Sequence, residues 1–421
     1  MKFNKTVLDN GFRIITIPQP AAVAMTALVL VETGSKYETR EESGIAHFLE
    51  HMCFKGTTKR PVPNQVAQEL EGLGAETNAF TSHEYTGYYA KVAANKGEMA
   101  LEIVADIYLN PTFPKEEIEK EKGVIIQEGK MYEDLPMRKA GEYFMQLLYG
   151  DCPAGRDIIG NEKVIMGATR DVFKSFHERF YLGAQTTLVL AGNINEEKLI
   201  AQAKELFEHI PAGEKVAKEA VKESQSEMAI MLKHKESDQA HLVMGYRAFD
   251  MFDERRIALT VLAHVLGGGM SSRLFNLLRE KMGAAYYVRA EADLYTDHGY
   301  VAASAGIQLA KIEEAIPAIK KEFLKLKEDL VPDKELEKVK NHLEGTTLLG
   351  LEGSDDIAGF YGLSELLRGE VTTTEELIKK IRAVTSEEIK ELANELFVDE
   401  KLNMAIIGPF KDEEKFRTLL A

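Results

Sequence analysis

Cysteine is scarce in this 421-residue chain: Cys53 and Cys152 are the only two, in no CxxC or CxxH spacing. That excludes a disulfide framework and a thiolate zinc site, and makes a reducing compartment the expectation. A membrane-spanning run is missing as well. The apolar stretch AMTALVLVETG (24–34) is too short to cross a bilayer and reads as a buried strand. The opening MKFNKTVLDNGFRI has neither an apolar signal core nor a cleavage site, so the expectation is a cytoplasmic protein without a membrane partner. Basic charge is in deficit, with 52 Lys and Arg against 68 Asp and Glu and a net charge of −16. No basic stripe could displace phosphate counterions, which argues against a nucleic-acid partner.

What is present is the composition of a soluble globular protein, 45% hydrophobic and 29% charged, in a chain long enough for two or more domains. Short β-rich runs alternate with longer amphipathic segments. FRIITI, MTALVLVE, YTGYYAKVA and TTLVLAGNI read as strands. NQVAQELEGLG, EMALEIVADIYL and the run from Lys115 to Tyr132 read as helices, the last opening after Pro114. The polar, weakly periodic PAGEKVAKEAVKESQSE (211–227) is the linker candidate.

Beyond that linker the pattern recurs. ATRDVFKSFHERFYLGAQTTLVLAGNI (168–194) matches VTSEEIKELANELFVDEKLNMAIIGPF (384–410), and PKEEIEKEKGVIIQEG from Pro114 matches PDKELEKVKNHLEG from Pro332. AHFLEH from Ala46 aligns loosely with AHVLGG from Ala263. An internal duplication of an α+β unit follows. The expected division is residues 1–213, a linker at 214–227, and a homologous half at 228–421.

The chemistry sits in HFLEHMCFKG (47–56), where two of the ten histidines stand four positions apart with Glu50 beside the second. On a helix, positions i and i+4 lie one above the other and i+3 is close to the same face. His47 and His51 can therefore converge on one metal ion, and neutral imidazoles suit zinc. Three protein ligands and one open position make a catalytic site, in which Glu50 has the place of general base toward water. The run EKEKGVIIQEG offers Glu121 and Glu128, seven apart on one helical face. Glu128 follows the apolar Val124, Ile125 and Ile126, so the helix is expected to turn inward there, where an acid needs a partner.

His-x-x-Glu-His is the inverted zinc motif. The sequence resembles the pitrilysin family of zinc metallopeptidases, especially its short bacterial members related to the mitochondrial processing peptidase β-subunit. NGFRI, SGIAHFLEHMCFKGT, NAFTSHEYTGYYAKV, EKGVIIQEGKMYED and AGNI carry that resemblance, which runs across essentially the whole chain. It implies two homologous α/β-sandwich halves forming a clamshell-like chamber. It makes Glu128 the third ligand of one zinc per chain, with His47 and His51, and Glu121 the acid that orients the ligand shell. It implies an endopeptidase acting on peptides or unfolded segments, and a homodimer. The rival implication is a non-catalytic or partner-dependent assembly subunit, since the family includes members without the motif. Cys53 departs from the family pattern; beside the metal helix, it is expected to be a partly buried thiol whose modification slows activity.

In the second half, Gly267 and Gly268 stand opposite Glu50 and His51, and Val339 and Thr346 opposite Glu121 and Glu128. Only His264 remains, opposite His47, and reads as a core histidine. GGGMSSRLFNLLREKMGAAYYV contains glycines but no phosphate-loop signature. The resemblance assigns its Arg279 and Tyr286 to substrate binding and to polarising the scissile carbonyl, roles that a cation and a phenol can fill. It also assigns Asn78, Ala79, Phe80 and Thr81 to an edge strand that pairs with extended peptide. His83 and Glu84 read as a polar pair at a strand end.

Overall fold

The computed structural model describes residues 1–420 as two compact units. The first contains a mixed sheet of β1 (Asn4–Val7), β2 (Arg13–Pro18), β3 (Ala24–Val31), β4 (Glu76–Thr81), β5 (Thr86–Ala93) and β6 (Thr186–Gly192), in the order β1-β2-β6-β3-β5-β4. The second contains β7 (Ala229–His234), β8 (Gln239–Ala248), β9 (Ala285–Leu294), β10 (Gly299–Gln308) and β11 (Leu402–Gly408), in the order β7-β11-β8-β10-β9. With β1 set aside, each order runs first, fifth, second, fourth, third strand. Among the described residues the one parallel pairing in each sheet falls at the same place, β2 with β6 and β7 with β11. The duplication read from the sequence is thus present in the topology.

The expected helices form over Gln65–Gly72, Gly97–Leu109 and Lys115–Glu133. The stretch ETNAFTSHEYTGYYAKV forms a hairpin. Its β4 and β5 are joined by Ser82–Tyr85, and Ser82 N–H donates to Tyr85 O at 2.8 Å. Residues 211–226 form no helix or strand, as a linker should, yet they are fastened. Lys218 Nζ lies 3.3 Å from the buried Glu84 of the first unit, and Val221 N–H donates to Asp297 of the second.

The units do not follow the continuous halves 1–213 and 228–421. The first unit takes in residues 348–374, and the second takes in residues 131–155. The cause is sheet burial. Strand β3 is buried along nearly its whole length, so both of its faces need cover. Ala27 and Val29 lie on the face under helix Gly97–Leu109, which packs on β3 and β5. Leu28 and Leu30 pack on the other face with Ile357, Ala358 and Tyr361 of helix Ser354–Arg368. That helix sits close, because a Cβ at Gly362 would come within 2.7 Å of both Leu30 and Val189. In the second unit the equivalent cover comes from helix Pro136–Tyr149, whose Phe144 and Leu148 pack with Val243, Ala405 and Ile407. Pro136 and Ser354 stand 218 positions apart, as do Pro114 and Pro332. The exchange is reciprocal between equivalent helices.

Phe144 is 1% exposed, so Phe144→Ala should cost about 3–5 kcal/mol. Hydrogen exchange should show that loss in β8 and β11, with β2, β3 and β6 protected as before. Loss confined to the first sheet would refute the exchange.

Candidate metal centre

Helix Ile45–Cys53 is apolar on most sides: Ile45, Ala46, Phe48, Leu49, Met52 and Cys53 are all buried. It is positioned by packing, with Phe48 edge-on to Phe173 at 4.8 Å. Its start is fixed by Gly44 at φ 96°, where a Cβ would also meet Ile159 O at 2.2 Å. The Glu38 carboxylate accepts from the N–H groups of Gly44 (2.8 Å) and Ala46 (2.7 Å), satisfying donors that the helix leaves open.

Helix Lys115–Glu133 supplies the acids and is anchored by the buried Ile118 and Ile125. Here the structure differs from the reading of the sequence. Val124 is 49% exposed and Glu128 only partly buried; the acids buried on this helix are Glu121, at 5%, and Glu117, at 9%. Glu128 reaches the site from a partly exposed position two turns along the same face.

His47, His51 and Glu128 are brought together. One ligand atom from each lies within 4.8 Å of the others, and among the described residues no other group of three such side chains does this. Glu128 Oε2 is 3.7 Å from His47 Nε2 and 3.6 Å from His51 Nε2. These separations are too long for hydrogen bonds. They are close to the roughly 3.3–3.5 Å edges of a tetrahedron built on metal bonds of 2.0–2.2 Å. Two imidazole nitrogens and a carboxylate oxygen are also the donor set of a catalytic zinc site with a fourth position open. The residues fit the metal.

Glu121 does not belong to that group but fixes one of its members. Its Oε1 is 3.0 Å from His51 Nδ1, and its Oε2 is 2.7 Å from Lys55 Nζ. Burial alone would raise the Glu121 carboxyl, yet the hydrogen bonds from His51 and Lys55 hold it below the ordinary carboxylate range. An ionised carboxylate only accepts, so His51 carries its proton on Nδ1 and turns the Nε2 lone pair toward Glu128.

Glu50 is 8% exposed. Burial lifts its carboxyl above the usual range, Thr81 and His51 draw it down, and Glu128 adds a smaller upward push. Thr81 Oγ1 donates to Glu50 Oε2. Reading the sequence missed this contact: Thr81 had been assigned to substrate through its backbone. Only the proximity of β4 to the motif helix reveals it.

Other expected residues fall elsewhere. Asn78, Ala79, Phe80 and Thr81 lie on β4, which closes one edge of the first sheet. His83 Nδ1 is 3.0 Å from Ser35 Oγ, and Glu84 is buried against Lys36 Nζ at 2.9 Å, the structural roles expected of a strand-end pair. Arg279 and Tyr286 belong to the second unit and meet each other: Arg279 Nη1 donates to the Tyr286 carbonyl, and Tyr286 is 72% exposed. His264 is half-buried, its Nε2 2.7 Å from His342 Nδ1. Cys53 corrects its expectation. It is fully buried, with Sγ 3.5 Å from Tyr88 Oη, and burial pushes its thiol up to about 12. Such a thiol is not a reactive thiolate.

A duplicated α+β fold with an inverted His-x-x-Glu-His motif and a remote glutamate defines the class, that of the inverted-motif zinc metallopeptidases. Residues 13–162 match the family described as Insulinase (Peptidase family M16), and residues 167–343 match the Peptidase M16 inactive domain. The uncharacterized zinc protease YmxG of Bacillus subtilis is 34% identical over 401 residues, covering 95% of this chain and 97% of that protein. An uncharacterized zinc protease of Rickettsia felis is 35% identical over 408 residues, covering 97% of this chain and 98% of that protein. The chain belongs to peptidase family M16, the pitrilysin family. The solved structure of a protease from Helicobacter pylori shares the fold, with TM-score 0.90 over 97% of this chain and 99% of that one at 24% identity. So does a structure titled as a peptidase M16 inactive domain from Pseudomonas fluorescens, with TM-score 0.89 over 98% and 99% at 21% identity.

Glu128→Ala should lose most bound zinc, whereas Glu121→Ala should weaken zinc affinity by roughly 10–100-fold. Metal content after dialysis against a graded chelator separates the two, and the opposite ranking would exchange their roles. Iodoacetamide applied to the folded protein should label Cys152, which is partly exposed, and leave Cys53 unmodified until the chain is unfolded. Peptide mapping by mass reads this directly.

Proposed function

We propose that this chain is a zinc-dependent endopeptidase that hydrolyses peptides or unfolded protein segments. The observation that carries the reading is the convergence of His47, His51 and Glu128 beside a buried, hydrogen-bonded Glu50. Zinc, when bound there, supplies Lewis acidity and makes water a usable nucleophile near neutral pH. The remaining work is done by the chain. Glu50 accepts the proton of the attacking water and can return it to the leaving amine, a role for which the Thr81 hydroxyl holds its carboxylate in place. Glu121 keeps His51 in the tautomer that leaves Nε2 free. The open edge of β4 offers main-chain groups to an extended peptide, reading its shape rather than its sequence. Arg279 and Tyr286 would donate to the carbonyl oxygen as it gains charge.

The wider assignments belong to the same proposal. The chain works in the cytoplasm as a homodimer, on polypeptide rather than nucleic acid or membrane. Among the described residues no helix is long and apolar enough to cross a membrane, and the net charge of −16 supports the exclusion of nucleic acid.

Glu50→Gln should abolish hydrolysis of a mixed peptide pool, by about 10²–10⁴ in rate, while zinc content stays at the wild-type level. Arg279→Ala in the same assay should retain zinc and lower kcat/KM by about two orders of magnitude. Turnover unchanged in Glu50→Gln would remove the hydrolase mechanism; a zinc-loaded wild type that cleaves nothing would favour the assembly-subunit reading.

A further inference from the structure

Strand β4 does two things at once. As the last strand of the order β1-β2-β6-β3-β5-β4, it presents an open edge. From the same strand, the Thr81 side chain reaches the base, Oγ1 donating to Glu50 Oε2. The backbone of Thr81 faces the open edge. In an antiparallel pair, alternate residues bond the partner strand. Ser82 N–H bonds Tyr85 O at 2.8 Å, so Thr81, opposite Thr86, and Ala79, opposite Tyr88, direct their peptide groups outward. The Ala79 N–H is at present capped by the side chain of its own neighbour, Asn78 Oδ1, at 2.9 Å. A peptide strand added at this edge would take the place of that cap. One residue, Thr81, therefore offers its main chain to the peptide and its hydroxyl to the base.

We propose that Thr81 is a positioning residue that couples peptide docking on β4 to the alignment of Glu50; this rests on the hydrolase reading above. By engaging Oε2, the Thr81 hydroxyl fixes the carboxylate plane and leaves Oε1 to take the proton. Main-chain bonds from an added strand restrict the Thr81 backbone, and through the hydroxyl they narrow the orientations open to Glu50. Binding energy gathered away from the scissile bond then appears as faster chemistry rather than only as tighter binding. Peptides too short to pair with β4 leave the base less well held.

The test uses full-length, zinc-loaded protein with a short peptide and a longer one sharing the same scissile sequence. The variants are Thr81→Val, which keeps shape and β-branching without the hydroxyl, and Thr81→Ser, which keeps the hydroxyl. Zinc content, and peptide Kd on metal-free protein, are measured alongside. Wild type should show kcat about tenfold higher for the longer peptide. Thr81→Ser should preserve that gain. Thr81→Val should lower kcat on the longer peptide by about 10–100-fold and erase the difference, a share of what general-base catalysis commonly supplies. Zinc content should match wild type, and Kd should stay within about twofold. Weaker peptide binding with kcat intact in Thr81→Val would make Thr81 a substrate contact only. Equal damage from Ser and Val would make it a packing residue, and a length effect surviving in Val or missing in wild type would overturn the coupling. Glu50→Gln, run in parallel, separates this from failure of the parent reading: if it equals wild type, the hydrolase mechanism has failed, whatever Thr81 does.

Discussion

The site depends first on one carboxylate, that of Glu121, shared between His51 and Lys55. It joins the motif helix to the helix that carries Glu128. A buried acid is costly to desolvate, and the cost is met here by two charge-assisted contacts, one to each oxygen. The consequence is geometric. With Glu121 held against His51, the next acid on the same face is Glu128, seven residues on, and it arrives opposite both Nε2 atoms. The separation of Glu121 from Glu128 and the 3.6–3.7 Å gaps at the ligand atoms are thus one fact seen twice.

Much of this was legible in the sequence because it is local. The convergence of His47, Glu50 and His51 follows from helical periodicity alone, and the repeat followed from matching segments on either side of residues 211–227. Glu128 as a ligand came from the family pattern, and the supporting argument from burial did not hold: Val124 is half exposed, and the acids buried on that helix are Glu117 and Glu121. The contact of Thr81 with Glu50 was not legible, since no local pattern says which helix an edge strand will touch. Cys53 was misjudged for a similar reason. Its partner Tyr88 lies on β5, and only the packed layer shows the thiol sealed beneath it.

The reciprocal helix exchange was equally hidden. Helices Pro136–Tyr149 and Ser354–Arg368 each have an apolar face, but periodicity does not reveal which sheet that face will cover. The exchange changes what a domain means in this protein. A chain divided at the linker would strip Ile357, Ala358 and Tyr361 from Leu28 and Leu30, and Phe144 and Leu148 from the second sheet. Each sheet would be left with an uncovered apolar face. The unit that holds the cluster of His47, His51 and Glu128 is therefore a product of the whole chain, although all three residues come from its first third.

The two units also differ physically at the equivalent place. In the second, Gly267 stands where Glu50 stands in the first, and a Cβ there would lie 2.2 Å from the backbone nitrogen of Ala290. Gly268 replaces His51, and a Cβ there would fall 2.1 Å from the ring of His264. The end of helix Arg256–Gly267 thus lies against β9, and the ring of His264, the counterpart of His47, occupies the space beside Gly268. His264 then finds His342 on the helix equivalent to the one bearing Glu121 and Glu128. More than ligand identity differs: the room for a base is taken by the backbone of β9, and the room for a second imidazole by the His264 ring. Restoring the motif by substitution would require the helix to move away from β9. That separates the halves physically, one built around a polar centre and the other packed where that centre would be.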